Sequence, residues 1–90
     1  MKILEMSQFL DGGIITESGF FDRLANFDWD LYRHERVLVK GCGTTAIPPW
    51  AFMAVASRLT DIAKTVKYGN EHSSIQIFRQ AREEFRHVDS

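Results

Sequence analysis

Ninety residues make one small domain that buries roughly 60–65% of its unfolded surface, with little stability to spare. A hydrophobic share of 44% and a charged share of 26% are globular values that disfavour disorder, collagen-like repetition and coiled coil. Eleven Lys+Arg against twelve Asp+Glu give a net charge of -1, so no global field pulls the chain toward nucleic acid or an anionic membrane.

The elements follow in chain order, with no linker or internal repeat, and predict a single domain over 1–90. Met1-Lys2-Ile3-Leu4-Glu5-Met6 meets acid at Glu5 and Asp11 too soon for a secretory leader. Its Lys2–Met6 portion predicts an edge strand. Asp11-Gly12-Gly13 signals a turn, because glycine accepts positive φ. Thr16 or Ser18 can then cap a helix whose Phe20, Phe21, Leu24 and Phe27 share a face, and Asp28-Trp29-Asp30 ends it. Arg36-Val37-Leu38-Val39-Lys40, a β-branched run stopped by Gly41, predicts the central strand.

Pro48 and Pro49 open the longest helix, where a missing backbone N–H costs nothing. Phe52, Val55, Ala56, Leu59, Ile62, Ala63 and Val66 recur at helical spacing and face a core. The run Ala46–Ala56 is apolar, but a bilayer span needs about 20 such residues, so a membrane protein is not expected. Thr65–Tyr68 is a strand candidate stopped by Gly69-Asn70. Ser74–Arg79 alternates as a strand, although Ile75, Phe78, Phe85 and Val88 are also compatible with a helix. We favour a strand to Arg79 and a short charged helix over Gln80–His87. The expected architecture is a small α/β (or α+β) sandwich, a mixed sheet of about four strands with two to three helices, in the order β-α-β-α-β-β-α.

The most informative local feature is Gly41-Cys42-Gly43-Thr44-Thr45, between the central strand and a helix N-terminus. Such loops form clefts at the carboxyl end of strands, and a helix N-terminus favours anions and lowers a thiol pKa. Cys42 is therefore a candidate reactive thiolate, metal ligand or sulfur carrier. It is equally a candidate for a small buried residue ending a strand. Several chemistries fail on spacing: Pro48 stands where a phosphatase loop needs arginine, Thr45 where a redox pair needs a second cysteine, and no phosphate-binding Gly-x-x-x-x-Gly-Lys-Ser/Thr motif occurs.

A lone cysteine excludes an internal disulfide and, with three histidines, the Cys-rich zinc frameworks within one chain. His72, in Gly69-Asn70-Glu71-His72-Ser73-Ser74, is the other candidate ligand. If its turn falls at the Cys42 end of the sheet, the two would form half a metal site completed by a second copy; otherwise it is a surface turn bonding its own backbone. Asp28 and Asp30 lack a companion base and read as solvated turn acids with Trp29 as a packing anchor. Arg79, Arg82, Arg86 and His87 alternate with Glu83 and Glu84, a solvated face and not a nucleic-acid stripe. Trp50 and Met53, on the second face of the long helix, are candidate interface residues, with filling by the N-terminal segment the alternative.

Asp28-Trp29 with Tyr32, Val39-Lys40-Gly41-Cys42, Ile47-Pro48 with Trp50-Ala51-Phe52-Met53, Leu59, and Gly69 with His72-Ser73-Ser74 together resemble the bacterial family catalogued as domain of unknown function 2480. The likeness covers most of the chain, and its Cys-to-Pro-x-Trp-Ala part is the most specific. The resemblance implies a single-repeat version of longer relatives with two similar Cys-loop halves, so that two copies would rebuild the whole. It also implies cysteine at the His72 position in some relatives, and a genomic context near iron–sulfur cluster assembly. A lone Cys42 cannot hold a cluster unaided.

The expectation placed first is a cytoplasmic, homodimeric accessory protein connected to iron–sulfur or sulfur metabolism, with Cys42 as thiol or metal ligand. Gly41, Gly43, Thr44 and Thr45 would form its anion-friendly cradle, His72 a second ligand, and Trp50 and Met53 the interface. Second comes a non-catalytic dimeric binding module that recognises a small anion or a protein partner at the 41–45 loop. A stand-alone enzyme ranks last, because no acid, base and nucleophile set stands at a recognisable spacing.

Overall fold

Arg36–Lys40 forms the expected central strand (β2), with Lys2–Glu5 (β1) and Thr65–Gly69 (β3) parallel on either side. The computed structural model describes residues 1–10, 12–41 and 46–81. Ser74–Arg79 (β4) closes the mixed sheet antiparallel to β3, giving the order β1-β2-β3-β4. The connections are two helices, Glu17–Asn26 (α1) and Pro49–Leu59 (α2). The predicted mixed-sheet architecture holds; the helix expected over Gln80–His87 falls largely outside the described residues.

Both helices pack on one face of the sheet. Phe20 and Leu24 of α1 and Ala51, Val55 and Leu59 of α2 share a single buried cluster with Leu4, Val37, Val39 and Val66 of the strands. Period-two alternation sends Arg36, Leu38, Thr65 and Lys67 to the opposite face. Leu38 is fully buried there, outside that cluster.

Local chemistry explains the boundaries. Thr16 caps α1 by accepting the Gly19 N–H at 3.3 Å, so of the two expected caps Thr16 is the one used. Gly12 and Gly13 both take the positive φ expected of their turn. Pro48 and Pro49 open α2 as expected.

The end of α2 departs from expectation. Apolar spacing continues through Ile62, Ala63 and Val66, but the helix stops at Leu59. The Ala63 N–H donates to the Leu59 carbonyl at 2.7 Å in a closing turn, and Val66 already belongs to β3. The pattern overran because Ala63 and Val66 enter the same core that the helix covers. His34, at φ 62, donates its N–H to the Ile62 carbonyl at 2.8 Å, and Lys64 donates to Glu35 at 2.8 Å. These bonds lock the start of β2 to the start of β3.

An aromatic cluster forms where the expected helix face and the Trp29 anchor meet Phe9, which the sequence did not single out. Phe9, in a 3-10 turn after β1, packs on Phe20, Phe27 and Trp29, with ring centroids 5.1–6.2 Å apart. Trp29 donates its indole N–H to the Leu24 carbonyl at 3.0 Å, confirming its role as a packing anchor. Asp30 is an exposed turn acid paired with Arg33 at 2.9 Å.

Candidate functional site

The loop at the carboxyl end of β2 was the strongest candidate. Of it, only Gly41 is described; Cys42, Gly43, Thr44 and Thr45 lie outside the described residues. A Cβ added at Gly41 would lie 3.7 Å from the Phe52 ring, an ordinary contact, so local crowding does not demand glycine there.

The hairpin carrying His72 reaches the same end of the sheet. Lys40, the last residue of β2, forms an ion pair with Glu71 at 3.0 Å across the sheet end. That hydrogen bond, more than the Glu71 backbone contact that assists it, holds the Glu71 carboxyl below its ordinary value. Asn70 shapes the turn: its side-chain oxygen accepts the N–H groups of His72 and Ser73, both at 2.8 Å, and its own N–H donates to Ser73 at 2.9 Å. Gly69, at φ 142, is obligatory, since a Cβ would collide with the Ser73 carbonyl. His72 itself is exposed. Among the described residues no three His, Cys, Asp or Glu side chains gather as a metal site.

Beside this sheet end lies a feature that sequence reasoning missed. Val39, Ile47, Pro49, Phe52, Met53 and Tyr68 line an apolar groove of about 480 Å³, with Ile77 on its far wall. Residues on both sides of the 41–45 loop thus reach its walls. Met53 is 71% exposed, Ile75 64%, Ile77 53% and Tyr68 43%. The groove arises beside α2 where the edge strand β4 leaves Ile75 and Ile77 exposed, while its Phe78 packs against the core. The signal was present in Ile75 and Ile77, two large apolar residues alternating in a terminal strand.

The two expected interface residues behave differently. Trp50 is 39% exposed; it stacks on Phe21 at 5.7 Å and meets Phe20 edge-on at 5.2 Å. Much of its surface is therefore satisfied by α1, within the chain. Met53 lines the groove instead. No helix among the described residues is long and apolar enough to cross a membrane.

Comparison with known proteins adds one relation. No curated protein and no solved structure matches the chain. The family model described as protein of unknown function (DUF2480) matches residues 2–81, a stretch that takes in every strand and helix described above. The chain therefore belongs to the DUF2480 family.

Proposed function

We propose that this chain is a non-catalytic binding module that works as a homodimer, with the apolar groove beside the 41–45 loop as its contact surface. The observation that carries this is the exposure of Met53, Tyr68 and Ile77 around one groove, with Ile75 exposed beside its pairing partner Tyr68 on the edge strand β4. Together they offer on the order of 400 Å² of apolar surface, a patch size that marks interaction sites. That is about half of the roughly 800 Å² per partner of a standard interface, and the backbone of the paired edge strands adds to it. Edge strands pair readily with a second strand. An antiparallel pairing of two β4 strands about Gln76 sets Ile75 of one copy opposite Ile77 of the other, on the groove face, twice. On this reading the residues of the 41–45 loop recognise a small anion or a protein partner.

Light scattering after gel filtration tests the dimer. A dimer at tens of micromolar, dissociated by Ile77→Lys or Met53→Asp but intact in Ile14→Lys, supports the proposal. A monomeric wild-type chain, or equal dissociation by Ile14→Lys, overturns it.

The Lys40–Glu71 ion pair favours a second reading. It links the hairpin of His72 to the strand that runs into Cys42. On this reading Cys42 is a working thiol or metal ligand, His72 supplies a second ligand, a second copy completes the site, and the role is accessory to iron–sulfur or sulfur metabolism. The pH dependence of Cys42 alkylation, on protein assayed for metal, tests it. A thiol pKa well below about 8.5, or stoichiometric metal lost in Cys42→Ser, supports a working thiolate. An inert thiol in folded, metal-free protein removes it.

A further inference from the structure

We infer that the face of the sheet opposite α1 and α2 holds a second site, for a small ligand bearing a di- or triphosphate group, at the opposite end of β2 from Gly41. A cavity of about 690 Å³ opens there, lined by Arg36, Lys64, Lys67, Arg79, Thr65 and Gln76. That volume lies within the range of small-molecule sites, roughly 300–1,000 Å³.

Strand register builds the cluster. Arg36 pairs with Thr65, and Thr65 pairs with Arg79, so the two arginines flank a threonine in one row across β2, β3 and β4. Lys67, paired with Gln76, stands in the next row on the same face. Strand spacing puts the two arginine Cα atoms roughly 10 Å apart and Lys67 roughly 7 Å along from Thr65. These side chains are long enough to converge on one ligand.

Charge selects the ligand. No carboxylate lines the cavity among the described residues. None of the four cations has an ion pair or side-chain hydrogen bond among the described residues, whereas Arg33 and Lys40 are both paired. Acids outnumber bases in this chain, yet four cations share one concave face with no partner among the described residues. Like charges this close repel. A compact polyanion relieves that repulsion, and two guanidinium forks suit phosphate oxygens.

Other polyanions fit less well. An extended acidic peptide presents same-face carboxylates only every ~6.6 Å, about two within the cluster. A single nucleic-acid strand gains its affinity by stacking on aromatic rings. No aromatic side chain lines this cavity among the described residues.

The test is an NMR titration of the full chain, at low salt, with tripolyphosphate and with a nucleoside triphosphate. Saturable shifts at Arg36, Thr65, Lys67 and Gln76, with a dissociation constant at or below about 1 mM, are expected. Equal affinities would mean that the phosphates alone are read; tighter nucleotide binding would add a contact to the base. The double variant Arg36→Gln/Arg79→Gln should bind about tenfold more weakly, and Lys67→Gln, which stands in if the double variant misfolds, about threefold. Arg58→Gln, on exposed helix surface, should change nothing. The inference is overturned by any one of four results: no saturation by about 10 mM, equal loss in Arg58→Gln, tighter binding of a hexaglutamate peptide, or oligonucleotide affinity that grows with length.

Discussion

Val37 and Val39 leave β2 toward two helices and join the core; Arg36, from the same strand, leaves it toward a cavity lined by three further cations. The two faces of this sheet thus answer different demands. Helices α1 and α2 cover one with apolar side chains that exclude water, and that burial supplies the folding energy. The other buries Leu38 but carries a cluster of cations beside it. In a chain this short, stability and binding are separated by the pleat of the sheet and not by distance along the sequence.

Substitutions on the two faces should therefore differ in size and even in sign. Leu59→Ala opens a cavity beneath α2 and should cost about 2–5 kcal/mol in urea unfolding, enough to leave much of the chain unfolded. A cost under about 1 kcal/mol would mean that α2 is not what holds the covered face. Gly69→Ala, at the hairpin joining β3 to β4, should cost about 2–3 kcal/mol, because the left-handed backbone and the Ser73 carbonyl leave no room for Cβ. Thr16→Ala should cost about 1 kcal/mol by uncapping α1. Gly19→Ala, which ordinarily gains up to about 1 kcal/mol in a helix, should gain almost nothing here, since its Cβ would fall 2.8 Å from the Thr16 hydroxyl. The gain should return in the Thr16→Ala background.

For the cations on the opposite face the expected effects are small. Arg36→Gln should raise stability by a few tenths of a kcal/mol at low salt, and the gain should vanish at high salt as screening removes the repulsion. Val37→Ala, one residue along, should destabilise at every salt concentration. The smallest effect concerns pH. Glu71 is held below its ordinary 4.5 by Lys40, so the pair favours the folded chain above that pH and loses its contribution as pH falls through the depressed value. In Lys40→Met, NMR titration of the Glu71 carboxyl should show a return toward 4.5, with stability above pH 6 almost unchanged.

Much of the local structure was legible because short-range chemistry decides it. The β-branched run Arg36–Lys40, the prolines opening α2, the Thr16 cap and the glycine turns each need only neighbours a few residues away. The Asn70 turn was readable for the same reason, although its joining to Lys40 was not. Phe9 shows the limit. It stands next to Leu10 with no periodic partner, and only the convergence of Phe20, Phe27 and Trp29 from separate elements makes it a core residue. Trp50 shows the same limit, since its stacking on Phe21 of α1 joins two separate elements.

What the sequence by itself determined is the set of elements and the family, because periodicity, caps and turn residues act locally and the matched motifs are contiguous. What only the tertiary structure decided is which faces meet. Whether Ile75 and Ile77 are covered, whether Arg36 and Arg79 share a cavity, and whether the His72 hairpin reaches the Cys42 end of the sheet all depend on strand order and register. Register brings together residues more than 40 positions apart in the chain, such as Arg36 and Arg79. No local propensity encodes that pairing; it emerges when strand order and register are fixed by burying one face of the sheet under the helices.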